Sequence, residues 1–311
     1  MSALSKSCVS SPSVTLTVAI PTYRRERVLL ETVSYLRSLA VPPGEILLLD
    51  QTQQHDPETE SALGTMADAG AITWVRLTIP SIPQAMNQGL VRARHDLVLF
   101  LDDDIRPDPE LIAAHLRAHQ ESPGGIVAGR VLQPWHGGKA DPADASRFGF
   151  NSESSREVDE FMGGNFSVNR HDAIAQGGFD ENFVRVAYRF EADFALRWRR
   201  AGGRIRYAAG ALIHHLKASD GGTRVFGDYL RTAIPAHSVG EYYFALVNRP
   251  SGWLRTVFGR PMRAIATRHH LRRPWWIPST LVAEVGGILW ALVLMFRGRR
   301  LISNVADASR N

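Results

Sequence analysis

Residues 97–111 read LVLFLDDDIRPDPEL, so an apolar run delivers three adjacent carboxylates, Asp102, Asp103 and Asp104, to one point of the chain. Like charges this close repel and raise one another's pKa, which costs stability unless a positive group sits against them. In an extended segment side chains alternate, placing Asp102 and Asp104 on one face and turning Asp103 away. Two carboxylates on one face, with no cysteine and few histidines nearby, suit a hard divalent ion, Mg2+ or Mn2+, shared with substrate phosphates. A solvated acidic loop is the plainer reading. However, Asp108 before Pro109 already supplies a helix cap, and three further acids are surplus to that need.

The elements that must hold this cluster are legible in the apolar pattern. VTLTVAI (14–20), EILLLD (45–50), AITWVRL (71–77), DLVLFL (96–101) and GGIVAGRVL (124–132) read as strands. Helical spacing appears in 26–40, about 56–69, about 83–93, and after Asp108 in ELIAAHLRAH. Continuously apolar strands alternating with helices predict an α/β fold, a mostly parallel sheet with flanking helices. Residues 134–160 read as a mobile polar loop, 190–202 as a helix, and RIRYAAGALIHHL as a pair of strands. Ligands of open parallel sheets bind beyond the carboxyl ends of the strands, where Asp102–Asp104 lie and where Asp50 ends the second strand. Many strands end in Asp simply because Asp favours turns. The first strand runs into PTYRRER with no GxGxxG, which argues against a dinucleotide phosphate loop.

The single cysteine, Cys8, excludes an internal disulfide or a thiolate metal site and fits a reducing cytoplasm. It falls in a Ser-rich stretch, 1–13, that reads as a flexible tail without a signal-peptide core. The net charge is +5, but residues 251–311 carry ten Arg against Glu284 and Asp307, so the basic surface belongs to the C-terminal end. There WWIPSTLVAEVGGILWALVLMF (275–296) is almost wholly apolar between LRRP and RGRR, with Pro278 and Glu284 as interruptions. A helix lying in the cytoplasmic leaflet, a core helix and a true span all fit it, and tryptophans and arginines favour the first. GEYYFALVNR (240–249) reads as an amphipathic packing helix.

Seven fragments in order carry a family resemblance: VAIPTYRR, ILLLD, IPQAMNQGL, LVLFLDDDIRPDPEL, GGNFSVNRHDAIAQGGFDENF, FEADFALRWRRAGGRIRY and ALIHHL. Together they resemble the GT-A-fold nucleotide-sugar glycosyltransferases of family 2 over about residues 14–225, leaving 226–311 as a helical, basic, membrane-associating region. The resemblance implies a Rossmann-like GT-A catalytic domain and transfer, with inversion, of a sugar from a UDP-, GDP- or dTDP-sugar to a hydroxyl. It implies that Pro21 and Tyr23 line the nucleoside pocket, that Asp50 bonds the base, and that Asp102 and Asp103 lie at the donor. Asp102 and Asp104 would hold the metal with His215, and Arg224 would cover the diphosphate. Gly163, Gly164 and Asn165 would lie beneath sugar and acceptor. Glu191 would be the general base, with Asp193 as a supporting group. The acceptor implied is a glycan or a lipid-linked glycan, at the cytoplasmic face of a membrane, with no nucleic acid partner. Departures from the family pattern are Ala85-Met86-Asn87, where the family often has Arg, three consecutive aspartates in place of Asp-Ala-Asp or Asp-Ser-Asp, and Glu191-Ala192-Asp193 in place of adjacent acids.

Other readings of the same acids are a nucleotidylyltransferase and a non-catalytic, Mg2+-dependent nucleotide-binding or signalling module. The first wants a Gly- and Lys/Arg-rich loop after the first strand, and PTYRRER has no Gly. The second wants a lysine on a late strand, and Lys139 and Lys217 are the only lysines past residue 6.

Overall fold

The computed structural model describes residues 15–137 and 148–302, apart from the side chain of Arg224. The expected tail, 1–13, lies outside the described residues. β1 (Leu16–Thr22), β2 (Glu45–Asp50), β3 (Thr73–Arg76) and β4 (Leu97–Leu101) alternate with α1 (Arg27–Arg37), α2 (Pro57–Asp68) and α3 (Ile82–Arg92). These strands pair in parallel in the order β3-β2-β1-β4. β1 and β2 are apolar and buried on both faces because helices cover both sides. The helix starts follow local chemistry: Asp56 accepts from the Thr59 N–H ahead of α2, and Ser81 from the Gln84 N–H ahead of α3.

The second half is β5 (Ile105–Pro107), α4 (Leu111–Glu121), β6 (Ile126–Leu132), β7 (Arg156–Glu157), β8 (Asn165–Asn169), α5 (Arg170–Ala175), α6 (Phe190–Arg200) and β9 (Ile205–His215). It extends the sheet in the order β4-β8-β6-β9-β5, with β7 also on β9. The sheet is therefore mixed: β8 lies antiparallel between β4 and β6, while β6 and β9 are parallel.

Three local expectations change. RIRYAAGALIHHL forms one strand rather than two, with a register shift opposite Gly129 and Arg130. The helix expected directly after Asp108 begins at Leu111, and the Asp108 carboxylate accepts from the Glu110 N–H in the turn before it. Ile105–Pro107 instead pairs antiparallel with the end of β9, in a register that sets Ile105 opposite His215. That short pairing brings the end of β9 beside the three aspartates.

Asn165 is buried and knits this half together. Its amide donates to the carbonyls of Arg130 (3.0 Å) and Ala211 (2.9 Å), and its oxygen lies 3.0 Å from His115 Nε2. His115 and His119 share the Ser167 hydroxyl, and burial pushes their pKa values down to about 3 and about 4, so both are neutral packing groups.

The C-terminal part is α7 (Val239–Asn248), α8 (Trp253–Ile265), α9 (Arg268–Arg272) and α10 (Ile277–Arg297). Pro278 sits in the first turn of α10, where a missing N–H costs nothing, and the helix runs unbroken for 21 residues. Ala283, Gly287 and Ala291 let α10 approach its neighbours closely, and a Cβ on Gly287 would collide with Ser238. Glu284 is buried but accepts from the Tyr242 hydroxyl and pairs with Arg260 at 3.1 Å. Tyr242, Ala245, Ala291 and Leu294 belong to the same apolar cluster as Phe166 and Phe194 of the sheet body. The core is thus continuous from the sheet into the C-terminal helices.

Candidate functional site

Beyond the carboxyl ends of β1 and β4 opens a cleft of about 440 Å³. Its lining includes Pro21, Tyr23, Gln51, Asp102, Asp104 and His215. Ligand oxygens of Asp102 and Asp104 and an imidazole nitrogen of His215 all lie within 4.8 Å of one another. His215 Nε2 is 3.0 Å from Asp104 Oδ1 and 3.7 Å from Asp102 Oδ2. Its Nδ1 is 2.8 Å from the Gln133 side-chain oxygen. That oxygen can only accept, so Nδ1 donates to it and Nε2 is the ring atom turned to the carboxylates. His214, one residue earlier on the strand, is exposed.

The three aspartates split as alternation predicts. Asp103 faces inward, accepting from Thr22 Oγ1 at 2.8 Å and Arg25 Nε at 2.9 Å. Arg25 also donates to Asp104 Oδ2 at 3.2 Å. Burial pushes the Asp103 pKa up to about 6, with Arg25 opposing the rise. Burial alone would raise Asp104 too. The hydrogen bond and charge of His215, the charge of Arg25 and the Ala218 N–H together outweigh it and hold Asp104 below its ordinary value. Asp104 is ionised and held from three sides, whereas the Asp102 side chain is half exposed to the cleft. Asp103 is thus a packing partner of Arg25 more than a donor contact.

Other expected residues are placed differently. Asp50 is fully buried and saturated by the Thr52 N–H, His55 and the Trp74 indole N–H, while its neighbour Gln51 lines the cleft. Asn165 is spent on the sheet. Gly164 is essential for a steric reason: its carbonyl accepts from the Asp102 N–H, and a Cβ on it would lie inside the Asp102 carboxylate. The side chain of Arg224 lies outside the described residues, although Gly222 and Thr223 cover the cleft and the Gly222 N–H donates to the Tyr23 carbonyl.

Glu191 and Asp193 open α6 but face different ways. Glu191 is half-buried, and burial pushes its pKa up to about 7; the charges of Glu160 and Asp102 add to the rise and Arg189 opposes it. Asp193 is fully buried, with Arg197 Nε at 2.9 Å and Asn248 Nδ2 at 2.7 Å. It points away from the cleft, so it holds the helix rather than a sugar. The loop entering α6 carries three non-glycine residues with positive φ, Arg185, Ala187 and Arg189, an uncommon cluster of strain directly before Glu191.

A family model, glycosyl transferase family 2, matches residues 17–180. The chain belongs to glycosyl transferase family 2. The match spans β1 through the aspartates to the turn that precedes α6. No curated protein matches the chain. Among solved structures, one similar in fold is GalNAc-T7 with UDP, GalNAc and Mn2+, at 14% identity and TM-score 0.55 over 65% of this chain. This chain spans 44% of GalNAc-T7, less than half its length. A second is the mannosyltransferase PcManGT from Pyrobaculum calidifontis in complex with GDP-Man and Mn2+, at 19% identity and TM-score 0.53. That likeness covers 91% of this chain and 79% of the mannosyltransferase. The sheet is of the GT-A type.

Several cleft residues had no role in the sequence reading. Arg25 was visible only as one basic residue of PTYRRER. Its Nη1 is buried with no hydrogen-bond partner among the described residues. Gln133, Arg185 and Lys217 reach the site from distant segments, and nothing in their local sequence marks them. The steric argument at Gly164 predicts that Gly164→Ala displaces Asp102. Mn2+ binding by calorimetry should weaken by more than about tenfold, with the far-UV spectrum unchanged, because Asp102 would leave the cluster that could hold a metal ion.

Proposed function

We propose that this protein transfers a sugar, with inversion and with a divalent metal, from a nucleoside-diphosphate donor to a hydroxyl acceptor. The observation that carries this reading is the convergence of Asp102, Asp104 and His215 at the mouth of a cleft of nucleotide size. Two carboxylate oxygens and an imidazole nitrogen are a fitting donor set for Mn2+ or Mg2+. An ion held there would neutralise charge on the departing nucleoside diphosphate.

The residues of the chain do the rest. Tyr23 and Pro21 offer a flat apolar wall for the base, and Gln51 rather than the saturated Asp50 offers it an amide. The Asp50 network of His55 and Trp74 stiffens that wall from behind. Arg25, Arg185 and Lys217 add positive charge along the cleft. Glu191 takes the proton of the acceptor hydroxyl as its oxygen bonds to the anomeric carbon. The bond from that carbon to the diphosphate oxygen breaks on the opposite face. UDP and GDP are the leading candidates for the nucleotide, dTDP a third, and a glycan or lipid-linked glycan for the acceptor.

A membrane contact fits the same reading. Pro274–Arg297 is the one helix among the described residues long and apolar enough to cross a bilayer, and a third of its most apolar window is buried against the protein. Val282, Val285, Leu289, Val293 and Phe296 are exposed on α10, and Leu254, Phe258 and Met262 on α8 beside it. Arg255, Arg263, Arg268, Arg272 and Arg273 accompany them, a pattern suited to the anionic cytoplasmic surface of a membrane.

Calorimetry with UDP and GDP tests the donor site first. One nucleotide should bind with Mn2+ and not with chelator, and Asp104→Ala should abolish that binding. No binding of either nucleotide to folded protein would sink the donor assignment. Because a base must be ionised to act, kcat/KM should rise with pH through about 7 and level off above it, following the raised pKa of Glu191. Glu191→Gln should remove that limb and lower the rate roughly 10²–10⁴-fold. A full-rate Glu191→Gln variant would exclude this base. Phe258→Glu with Met262→Glu should lower co-sedimentation with phosphatidylglycerol vesicles by about tenfold. Unchanged sedimentation would remove the membrane contact from this face.

A further inference from the structure

The chain does not leave the protein at the end of α10. Gly298 to Ile302 turn back and are laced to the turn before α6. The Gly298 carbonyl accepts from Asn182 Nδ2 at 2.6 Å, and the Arg300 carbonyl accepts from the Glu181 N–H at 3.0 Å. The Ile302 N–H donates to the Gly177 carbonyl at 2.8 Å, and Gly178, at φ +61°, leaves room for the Ile302 side chain. At the centre of this strap is Arg299. Its Nη1 lies 2.7 Å from Asp193 Oδ1 and 3.2 Å from Asp180 Oδ2, and Nη2 donates to Asn248 Oδ1 at 2.9 Å. Both carboxylate side chains are fully buried.

Asp193 follows Glu191 by two residues, about 200° round the helix at 3.6 residues per turn. The clamp therefore grips α6 on the side opposite the proposed base. The strained loop of Arg185, Ala187 and Arg189 leads directly into the helix. Its first turns also pack Phe190 and Phe194 against Phe179 and Phe161 and carry Arg197, bonded to Asp193 and to the Gln176 and Gly178 carbonyls. A further charged hold on that first turn is Arg189 Nε, which donates to Glu241 of α7 at 3.1 Å. The charged contacts of Arg299 and Glu241 come from the C-terminal part, whereas the apolar packing of α6 comes from the sheet side.

We propose that Arg299 is a positioning residue for Glu191: by pinning Asp193 it sets the rotation of α6, so that the geometry of the base depends on how α10 is seated. This rests on the reading of Glu191 as the base. Without Arg299, Asp180 loses its ion pair and Asp193 keeps only Arg197, so the turn and α6 shift to compensate. A shift of about 1 Å at a reacting group costs on the order of 10²-fold in rate.

The test uses the full chain with Mn2+ and either UDP-glucose or GDP-mannose, according to which nucleotide binds, with nucleotide release to water as the readout. Arg299→Met should lower turnover by about tenfold or more while the Kd of UDP or GDP stays within about threefold. Arg299→Lys keeps a cation against Asp193 and Asp180 but not the fork that also reaches Asn248, and should recover part of the turnover lost in Arg299→Met. If Arg299→Met does not fold, the double variant Arg299→Met with Asp180→Asn removes the carboxylate left without its ion pair and should still turn over slowly.

Full turnover by a folded Arg299→Met or by the double variant, with Glu191→Gln inactive, overturns this proposal and leaves the base reading intact. Turnover and nucleotide affinity falling together, with no recovery in Arg299→Lys, reduces Arg299 to general support of the fold and also overturns it. Nucleotide release at the wild-type rate by Glu191→Gln, or none from either donor by wild type, sinks the base reading and this inference with it.

Discussion

One guanidinium, that of Arg25, makes the end of β4 possible. Asp103 and Asp104 are both buried there, and two neighbouring carboxylates cannot both ionise out of water without a cation between them. Arg25 bonds to each of them. Removing one partner of such a buried pair costs roughly 3–5 kcal/mol, because the other charge is stranded. The arrangement dictates much around it. β1 must exit through Thr22 and a left-handed Arg24 to bring Arg25 round, and Gly221 must lack a side chain where it crosses the Arg24 carbonyl. β5 must leave the aspartates in the register that sets His215 and the Ala218 N–H against Asp104.

The same division of labour appears twice. In Asp102-Asp103-Asp104 the middle acid is bonded to Thr22 and Arg25, while Asp102 and Asp104 turn toward His215. In Glu191-Ala192-Asp193 the second acid is spent on Arg197, Arg299 and Asn248 while the first stays at the surface of the helix. Alternation on a strand and rotation on a helix do the sorting. In both places a buried, fully bonded carboxylate fixes the backbone from which a chemically available one projects, so that a charge that would otherwise be a liability becomes an anchor.

The C-terminal helices belong to the catalytic body. Their apolar cluster is continuous with that of the sheet, Glu284 is neutralised within the bundle, and the residues after α10 return to the turn that leads to α6. The outer faces of α8 and α10 stay exposed. A helix with one face of small, buried residues and one of exposed large apolar residues is built to meet two different surroundings at once.

Strand and helix order, the strand-end position of the aspartates, their alternation and the family itself were all legible in the chain, because apolar period and adjacent residue types are local properties. The antiparallel insertion of β8, the single long β9 and the β5 pairing were not, since strand direction and register depend on partners distant in sequence. The same limit governed the site. Asp50, Asn165 and Asp193 had the right residue types in the right order, but only the folded chain shows that their hydrogen-bonding capacity is consumed internally. Gln133, Lys217 and Arg299 carried no local signal because each reaches its partner across tens of residues. Sequence by itself determined which groups could do chemistry; the tertiary structure decided which of them are already spent, because a buried polar group must be satisfied by whatever the fold brings within reach.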